Sequence, residues 1–135
     1  MSSPHELIVP QGMAPAAGYS HAVVSTRGRS VYLAGQAAHD ADGSLRGSTM
    51  TEQFDAACGN VVGALSAAGA EPGHLVSLHI FVTDVAAYRN ESKAIGAAYR
   101  RHFGRHFPAM ALFGVTELFD PGALVELIGV AVVPD

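Results

Sequence analysis

The chain has 135 residues, of which 49% are hydrophobic and 15% are charged, and its formal net charge is −4 at pH 7. This length suits one domain, which we place over residues 1–135, and the apolar composition indicates that part of the surface is buried between subunits. No run of lysine or arginine offers the clustered basic face that nucleic-acid binding needs, so we expect no nucleic-acid partner.

The N-terminal sequence and the cysteine content indicate a soluble cytoplasmic protein. The first residues lack the basic segment and the long apolar stretch of a signal peptide. No apolar run approaches the ~20 residues that a membrane span needs, so we expect no membrane association. Cys58 is the single cysteine, and it cannot form an intrachain disulfide.

The first third of the chain predicts an irregular arm followed by two strands. Residues 1–18 are rich in proline, glycine and alanine, and they predict an arm with room for a short strand at Leu7–Val9. His21–Arg27 and Ser30–Ala34 have the composition of strands, and Gly28 between them predicts a hairpin turn.

The middle of the chain predicts two helices on either side of a strand. Thr49 and Glu52 have the spacing of a capping box, and apolar residues then recur at helical intervals. Residues 75–82 form an apolar run that predicts a strand. A second helix is predicted from Asp84, which can cap it, to Gly104, which can end it.

The last third predicts two strands, over residues 107–115 and 123–133, joined by a turn at Phe119–Gly122. The complete order is β-β-α-β-α-β-β. This order predicts an α+β fold in which two helices cover one face of a single mixed sheet. Since the sequence supplies no further layer, we expect oligomerisation to cover the other face.

Glu126 is a carboxylate inside the apolar run Ala123–Leu127, and it has two interpretations. In a dry cleft it could serve as a general acid or base. Alternatively, it is an outward residue of an alternating strand that shares a face with Leu124 and Ile128. The apolar character of these two neighbours favours burial slightly.

Cys58, His102 and His106 are weaker candidates for chemistry. Cys58 lies on the apolar face of the first predicted helix, which favours a core residue over a nucleophile. His102 and His106 have no carboxylate or second cysteine at ligand spacing, so we expect hydrogen-bonding histidines and no metal site. Gly35 follows a strand and marks either a close backbone approach to a ligand or the end of that strand.

Six segments between residues 18 and 133 resemble, in order and spacing, the Rid family, also called the YjgF or endoribonuclease L-PSP family. The segments are Gly18–Ala22, Val31–Gln36, a helix from Gln53 to Gly69, Ile80–Asp84, Phe107–Ala109 and Gly122–Glu126. The resemblance implies a chorismate-mutase-like fold assembled as a homotrimer, with three clefts between neighbouring subunits. It also implies a small-molecule ligand and no cofactor.

The resemblance further implies roles for single residues. Members similar to the best-known branch of the family hydrolyse reactive enamines and imines, such as 2-aminoacrylate, to keto acids and ammonia. Glu126 matches the glutamate that handles the attacking water, Tyr19 matches a pocket tyrosine, and Gly35 matches a backbone contact. Met110 stands where the family has an arginine that clamps the substrate carboxylate, and Ala111 and Leu112 follow it.

Met110, Ala111 and Leu112 carry no charge, so we predict that together they form an apolar pocket wall. Removing one partner of a buried charge pair costs about 3–5 kcal/mol, which makes 2-aminoacrylate a poor substrate unless another cation, such as the nearby Arg105, reaches the cleft. We therefore expect a deaminase-like hydrolase that acts on a neutral or more apolar imine, enamine or related carbonyl. A non-catalytic, ligand-binding trimer is the alternative, and an endoribonuclease is disfavoured by the acidic balance of the chain.

Overall fold

The computed structural model describes residues 2–135, so the first residue of the predicted arm lies outside the described part of the chain. The strands are β1 (Glu6–Ile8), β2 (Ala22–Val24), β3 (Gly28–Tyr32), β4 (Leu75–Val82), β5 (Ala109–Gly114) and β6 (Val125–Pro134). The α-helices are α1 (Met50–Ala67), α2 (Val85–Asn90) and α3 (Ser92–Phe103), and a 3-10 turn at Pro72–His74 leads into β4. None of the helices in residues 2–135 has the length and apolar character needed to cross a membrane.

Four of the strands form a mixed sheet in the order β3-β6-β4-β5. β4 and β5 run parallel, whereas the other two neighbouring pairs are antiparallel. The parallel pair follows from its connection, because α2 and α3 carry the chain back along the sheet between these two strands. The prediction of an α+β fold with a mixed sheet is confirmed.

The first two predicted strands do not form a hairpin, and the fold contains a second, two-stranded sheet. β2 pairs with β1 from the N-terminal arm, with Leu7 opposite Val23, whereas β3 pairs with β6. The Thr26 N–H, just after β2, donates to His5 Nδ1 at 3.1 Å, so the arm also satisfies the end of this strand. The predicted single sheet is therefore wrong, because the arm supplies β2 with a partner that the local turn pattern does not reveal.

Helix α1 begins at the predicted capping box. The Glu52 N–H donates to the Thr49 hydroxyl oxygen and the Thr49 N–H donates to Glu52 Oε1, both at 3.1 Å. These bonds satisfy N–H groups that the helix itself leaves unpaired. Cys58 is fully buried on the core face of α1, and burial raises the pKa of its thiol. It is a core residue, as predicted.

The predicted second helix is divided into α2 and α3 at Glu91. Asp84 begins α2 by accepting a hydrogen bond from the Ala87 N–H at 3.0 Å. Glu91 accepts hydrogen bonds from the N–H and the hydroxyl of Thr51, at 3.0 and 2.6 Å, which fixes the break against the first turn of α1. Helix α3 ends at Gly104, whose φ of 64° suits glycine.

The core lies between the helices and one face of the four-stranded sheet. Its fully buried residues include Phe54, Val61 and Leu65 of α1, Phe103 of α3, Leu78 and Val82 of β4, and Val125 and Leu127 of β6. On the opposite sheet face, Tyr32, Phe113 and Ile128 are 78%, 48% and 40% exposed. A sheet with this much apolar surface on its second face is suited to contact with another protein surface.

Candidate functional site

Glu126 lies on β6, on the sheet face away from the helices. Its neighbours Val125 and Leu127 are fully buried in the core, and side chains alternate along a strand. Glu126 therefore belongs to the second face, where it is opposite Phe81 of β4. Its side chain is half-buried.

The backbone at Gly35 lies directly against the Glu126 side chain. Gln36 and Leu127 exchange two backbone hydrogen bonds, of 2.7 and 2.9 Å. These bonds hold Gly35 and Gln36, which follow β3 in the chain, beside β6. A Cβ atom on Gly35 would lie 2.5 Å from Glu126 Oε2. The close approach at Gly35 is thus to the carboxylate of Glu126, which a larger residue at this position would have to displace.

Glu126 lines a cavity of about 340 Å³ together with His39, Phe119, Asp120 and Pro121. His39 Nε2 and Asp120 Oδ2 are 3.1 Å apart in this cavity wall. The sequence gives no signal for this pair, since His39 and Asp120 lie in two loops that are 81 positions apart. No local spacing could have paired them. The cavity has a volume that a small metabolite could fill.

Asp120 is held as an ionised carboxylate. The Gly122 N–H donates to Asp120 Oδ1 at 3.1 Å, and this bond, followed by the contact with His39, lowers the pKa of Asp120. A carboxylate only accepts hydrogen bonds, so His39 Nε2 carries the hydrogen between them. The pair is partly open to solvent, with side-chain exposures of 40% for His39 and 36% for Asp120.

Met110 and Leu112 lie on the helix side of β5, whereas Ala111 lies on the other side. Met110 is opposite Leu78 and Leu112 is opposite Ile80, two residues of β4 that face the core. Side chains alternate along β5, so Ala111 shares the face of Glu126 instead. The prediction that these three residues form one pocket wall is therefore wrong.

Met110 lines a second cavity, of about 360 Å³, beside helix α3. Its sulfur is 3.6 Å from the hydroxyl of Tyr99, which donates its hydrogen bond to the His106 carbonyl at 2.6 Å. The cation in the lining of this cavity is Arg100, which is solvent-exposed.

Tyr19 lies near the same strand as Met110. Ser20 forms a parallel bridge with Ala109 of β5, its N–H donating to the Pro108 carbonyl at 2.9 Å. Tyr19 itself packs edge-on against His21, with ring centroids 5.3 Å apart, in a groove formed by the N-terminal arm.

The residues of the candidate site, predicted and newly found, thus fall into two groups. We call Gly35, His39, Asp120 and Glu126 the carboxylate side, and we call Tyr19 and Met110 the β5 edge. Strand β4 lies between β6 and β5, and the residues opposite Glu126 and Met110 point to different faces of β4. A single chain therefore does not bring the two groups together.

The histidines and carboxylates of the described chain form pairs rather than larger clusters. Among residues 2–135, no three His, Cys, Asp or Glu side chains are grouped so that they could hold an ion. The two histidines that the sequence singled out have other partners. His102 Nε2 lies 2.7 Å from Asp55 Oδ1, and His106 Nε2 lies 2.8 Å from the Leu75 carbonyl oxygen.

Residues 10–133 match the family described as endoribonuclease L-PSP. The RutC family protein UK114 of Drosophila melanogaster is 33% identical over 114 residues, which are 84% of this chain and 78% of the fly protein.

Two solved structures resemble the chain over most of its length. One is YyfB of Yersinia pestis, a protein of unknown function in the conserved Rid family. It is 30% identical with a TM-score of 0.87, and the match covers 96% of this chain and 98% of YyfB. The other is Rv2704 of Mycobacterium tuberculosis, from the YjgF/YER057c/UK114 family. It is 34% identical with a TM-score of 0.64, over 86% of this chain and 87% of Rv2704.

Proposed function

Because this chain belongs to the endoribonuclease L-PSP family, also called the Rid or YjgF family, we propose that it hydrolyses a small imine, enamine or related carbonyl compound. One observation carries the proposal: the Glu126 carboxylate lies against the Gly35 backbone in the wall of a cavity of about 340 Å³. Hydrolysis of an imine requires water to add to the C=N carbon. A carboxylate placed in a small pocket can take the proton that this water loses.

The proposed site lies between copies of the chain. A second copy that sets its β5 edge against the carboxylate side of the first would join the two groups that one chain keeps apart. The apolar, exposed sheet face that carries Glu126 supports such self-association. The resemblance implies a homotrimer, in which one heterologous contact repeats around a three-fold axis.

The proposed substrate lacks a carboxylate, or has one that contributes little to binding. Met110 replaces the clamp arginine, and an ion pair lost from a buried site costs about 3–5 kcal/mol. Arg100 lines the cavity beside Met110, but it is solvent-exposed, and exposed ion pairs contribute only about 0–1 kcal/mol. The remaining walls near Met110, including Ile95 and Phe107, favour an apolar substrate body.

We place the proposed hydrolase in the cytoplasm, where it acts on a small molecule rather than on RNA. Cys58 is an unpaired, buried thiol, which suits the reducing conditions of the cytoplasm, where we place the protein. An endoribonuclease is a poor alternative, because a net charge of −4 does not favour binding to a polyanion.

The test is imine hydrolysis by the purified native protein and its Glu126→Gln variant. The panel pairs amino-acid-derived imines with analogues that lack the carboxylate, and it follows the release of ammonia or carbonyl product. We expect turnover of the neutral imines, and we expect Glu126→Gln to lower kcat about 10²-fold or more because the base is lost. Glu6→Gln, on exposed β1, is the matched control and should leave turnover unchanged.

Two outcomes would contradict the proposal. Equal turnover by the native protein and Glu126→Gln would remove Glu126 from the chemistry. No turnover of any imine by the native protein would favour the non-catalytic, ligand-binding trimer. The Met110→Arg variant tests the substrate preference, since a gain for carboxylate-bearing imines is expected only if position 110 contacts the substrate.

A further inference from the structure

We infer that His39, oriented by Asp120, is a second proton-transfer group of the Glu126 site, which protonates the departing nitrogen of the substrate. The inference rests on the proposed hydrolase function. It concerns residues to which neither the family resemblance nor the sequence pattern gave a role. A hydrolysis that expels an amine needs an acid for the nitrogen as well as a base for the water.

The proposed base, Glu126, and the proposed acid, His39, line the same cavity. His39, Asp120 and Glu126 line the same cavity of about 340 Å³, and apolar Phe119 and Pro121 complete its wall. His39 Nε2 lies 3.1 Å from Asp120 Oδ2, which is hydrogen-bonding distance. A compound of a few atoms in this cavity would meet a carboxylate and a carboxylate-bound imidazole together.

Two amide side chains of α1 hold the loops that carry this pair. Asn60 Nδ2 donates to the carbonyl oxygens of Ala37 and His39, at 2.8 and 2.9 Å. This fixes the loop backbone at His39 against the helix. The position of His39 is therefore set by the fold rather than by its contact with Asp120 alone.

Gln53 does the same for the loop that carries Asp120. Its Nε2 donates to the Gly122 carbonyl at 3.0 Å, and its Oε1 accepts from the Leu124 N–H at 2.8 Å. Gln53 is only 3% exposed, so these bonds are made in a largely dry environment. Gln53 and Asn60 are two helical turns apart on one face of α1, and that face positions both halves of the pair.

The bond to Asp120 selects the tautomer of His39. An ionised carboxylate accepts only, so the hydrogen resides on Nε2 and the lone pair of the neutral ring resides on Nδ1. Nδ1 is then the nitrogen that takes up and releases a proton.

The proposed step balances in atoms and charge. Water adds to the carbon of a protonated imine, Glu126 takes one water proton, and the C=N π pair moves onto nitrogen to give a neutral carbinolamine. The His39 imidazolium then donates a proton to that nitrogen. The C–N bond breaks with its electron pair going to nitrogen, and the hydroxyl oxygen forms the C=O bond as its proton passes to the neutral His39. Ammonia leaves with the carbonyl product, and it takes up the proton held by Glu126.

If the His39–Asp120 pair had only a structural role, its loss would affect Tm and kcat differently. Partly exposed ion pairs contribute little to stability, so loss of a structural His39–Asp120 pair would change the Tm slightly and kcat not at all. Loss of a proton-transfer group instead lowers kcat and leaves KM nearly unchanged.

The experiment compares native protein, His39→Gln, Asp120→Asn and the double variant in the imine assay, with kcat, KM and Tm measured for each. Asp120→Asn keeps an Oδ1 acceptor for the Gly122 N–H, so the loop turn is preserved. The matched controls are His102→Gln and Asp55→Asn, which break a second His–Asp pair, of 2.7 Å, between α1 and α3.

We expect His39→Gln to lower kcat about 10²-fold with little change in KM. Asp120→Asn should lower kcat less. The double variant should match His39→Gln, because Asp120 acts through His39. Unchanged kcat in His39→Gln while Glu126→Gln is inactive overturns this inference and leaves the proposed function standing. A loss of kcat that the His102 and Asp55 controls reproduce also overturns it. Absence of turnover in the native protein overturns both proposals.

Discussion

Gly35 gives the Glu126 carboxylate its place in the pocket. Any side chain at this position would begin 2.5 Å from Glu126 Oε2, which is well inside normal contact. The sequence left Gly35 with two interpretations because the backbone bridge between Gln36 and Leu127 joins distant parts of the chain. Sequence pattern identified both Gly35 and Glu126, but only the fold shows that they touch.

The Gly35→Ala variant tests this contact. We expect the added methyl to displace the Glu126 carboxylate and to lower imine turnover about tenfold, since misplaced catalytic groups lose rate steeply. Stability should change little, because the atom that must move is the end of a flexible side chain. Activity assays and urea unfolding measure the two effects.

Gly63→Ala is the control for this substitution. A Cβ at Gly63 would meet nothing within 4 Å, and the position lies inside α1, so alanine should stabilise the protein by about 0.5–1 kcal/mol without affecting turnover. Native turnover by Gly35→Ala would show that the position of the carboxylate does not matter for activity.

Helices were easier to predict than strands because their signals are local. The Thr49–Glu52 capping box and the Gly104 stop both lie within a few residues of the helix end that they define. The pairing of β1 with β2 has no such signal, since irregular residues 9–21 join the two strands and contain no tight hairpin turn. The prediction of a Met110–Leu112 wall was wrong for a different reason: alternation along a strand places adjacent residues on opposite faces.

His106 ties the end of α3 to the start of β4. Its buried ring hydrogen-bonds the Leu75 carbonyl at 2.8 Å, and burial holds the pKa of His106 below its ordinary value of 6.5. The unfolded chain then binds a proton more readily than the folded chain does. The stability from this group is thus complete above about pH 6.5 and is lost as the pH falls through the lowered pKa.

The His106→Gln variant should therefore lose part of this pH dependence. Glutamine can still donate to the Leu75 carbonyl, but it does not titrate. Urea unfolding between about pH 7 and pH 5 should show a steeper fall in stability for the native protein than for the variant. If the free energies of unfolding of the two proteins fall in parallel with pH, His106 does not contribute to the pH dependence of stability.

The whole molecule has one feature that a single chain does not explain. Glu126 and Met110 lie on different faces of the four-stranded sheet, and apolar side chains remain exposed on the face that carries Glu126. The proposed assembly of identical copies would account for both observations. It would cover the apolar face and would set the β5 edge of one copy beside the Glu126 of the next.

The most direct measurement of this shared site is complementation between Glu126→Gln and Tyr19→Ala. Each variant alone should be nearly inactive, the first for lack of a base and the second for loss of a pocket wall at the β5 edge. When the two chains are unfolded together and reassembled, random mixing should restore about a quarter of the sites, those in which each copy supplies its intact half. Activity of the mixture no higher than the average of the separate variants would contradict a site built by two copies.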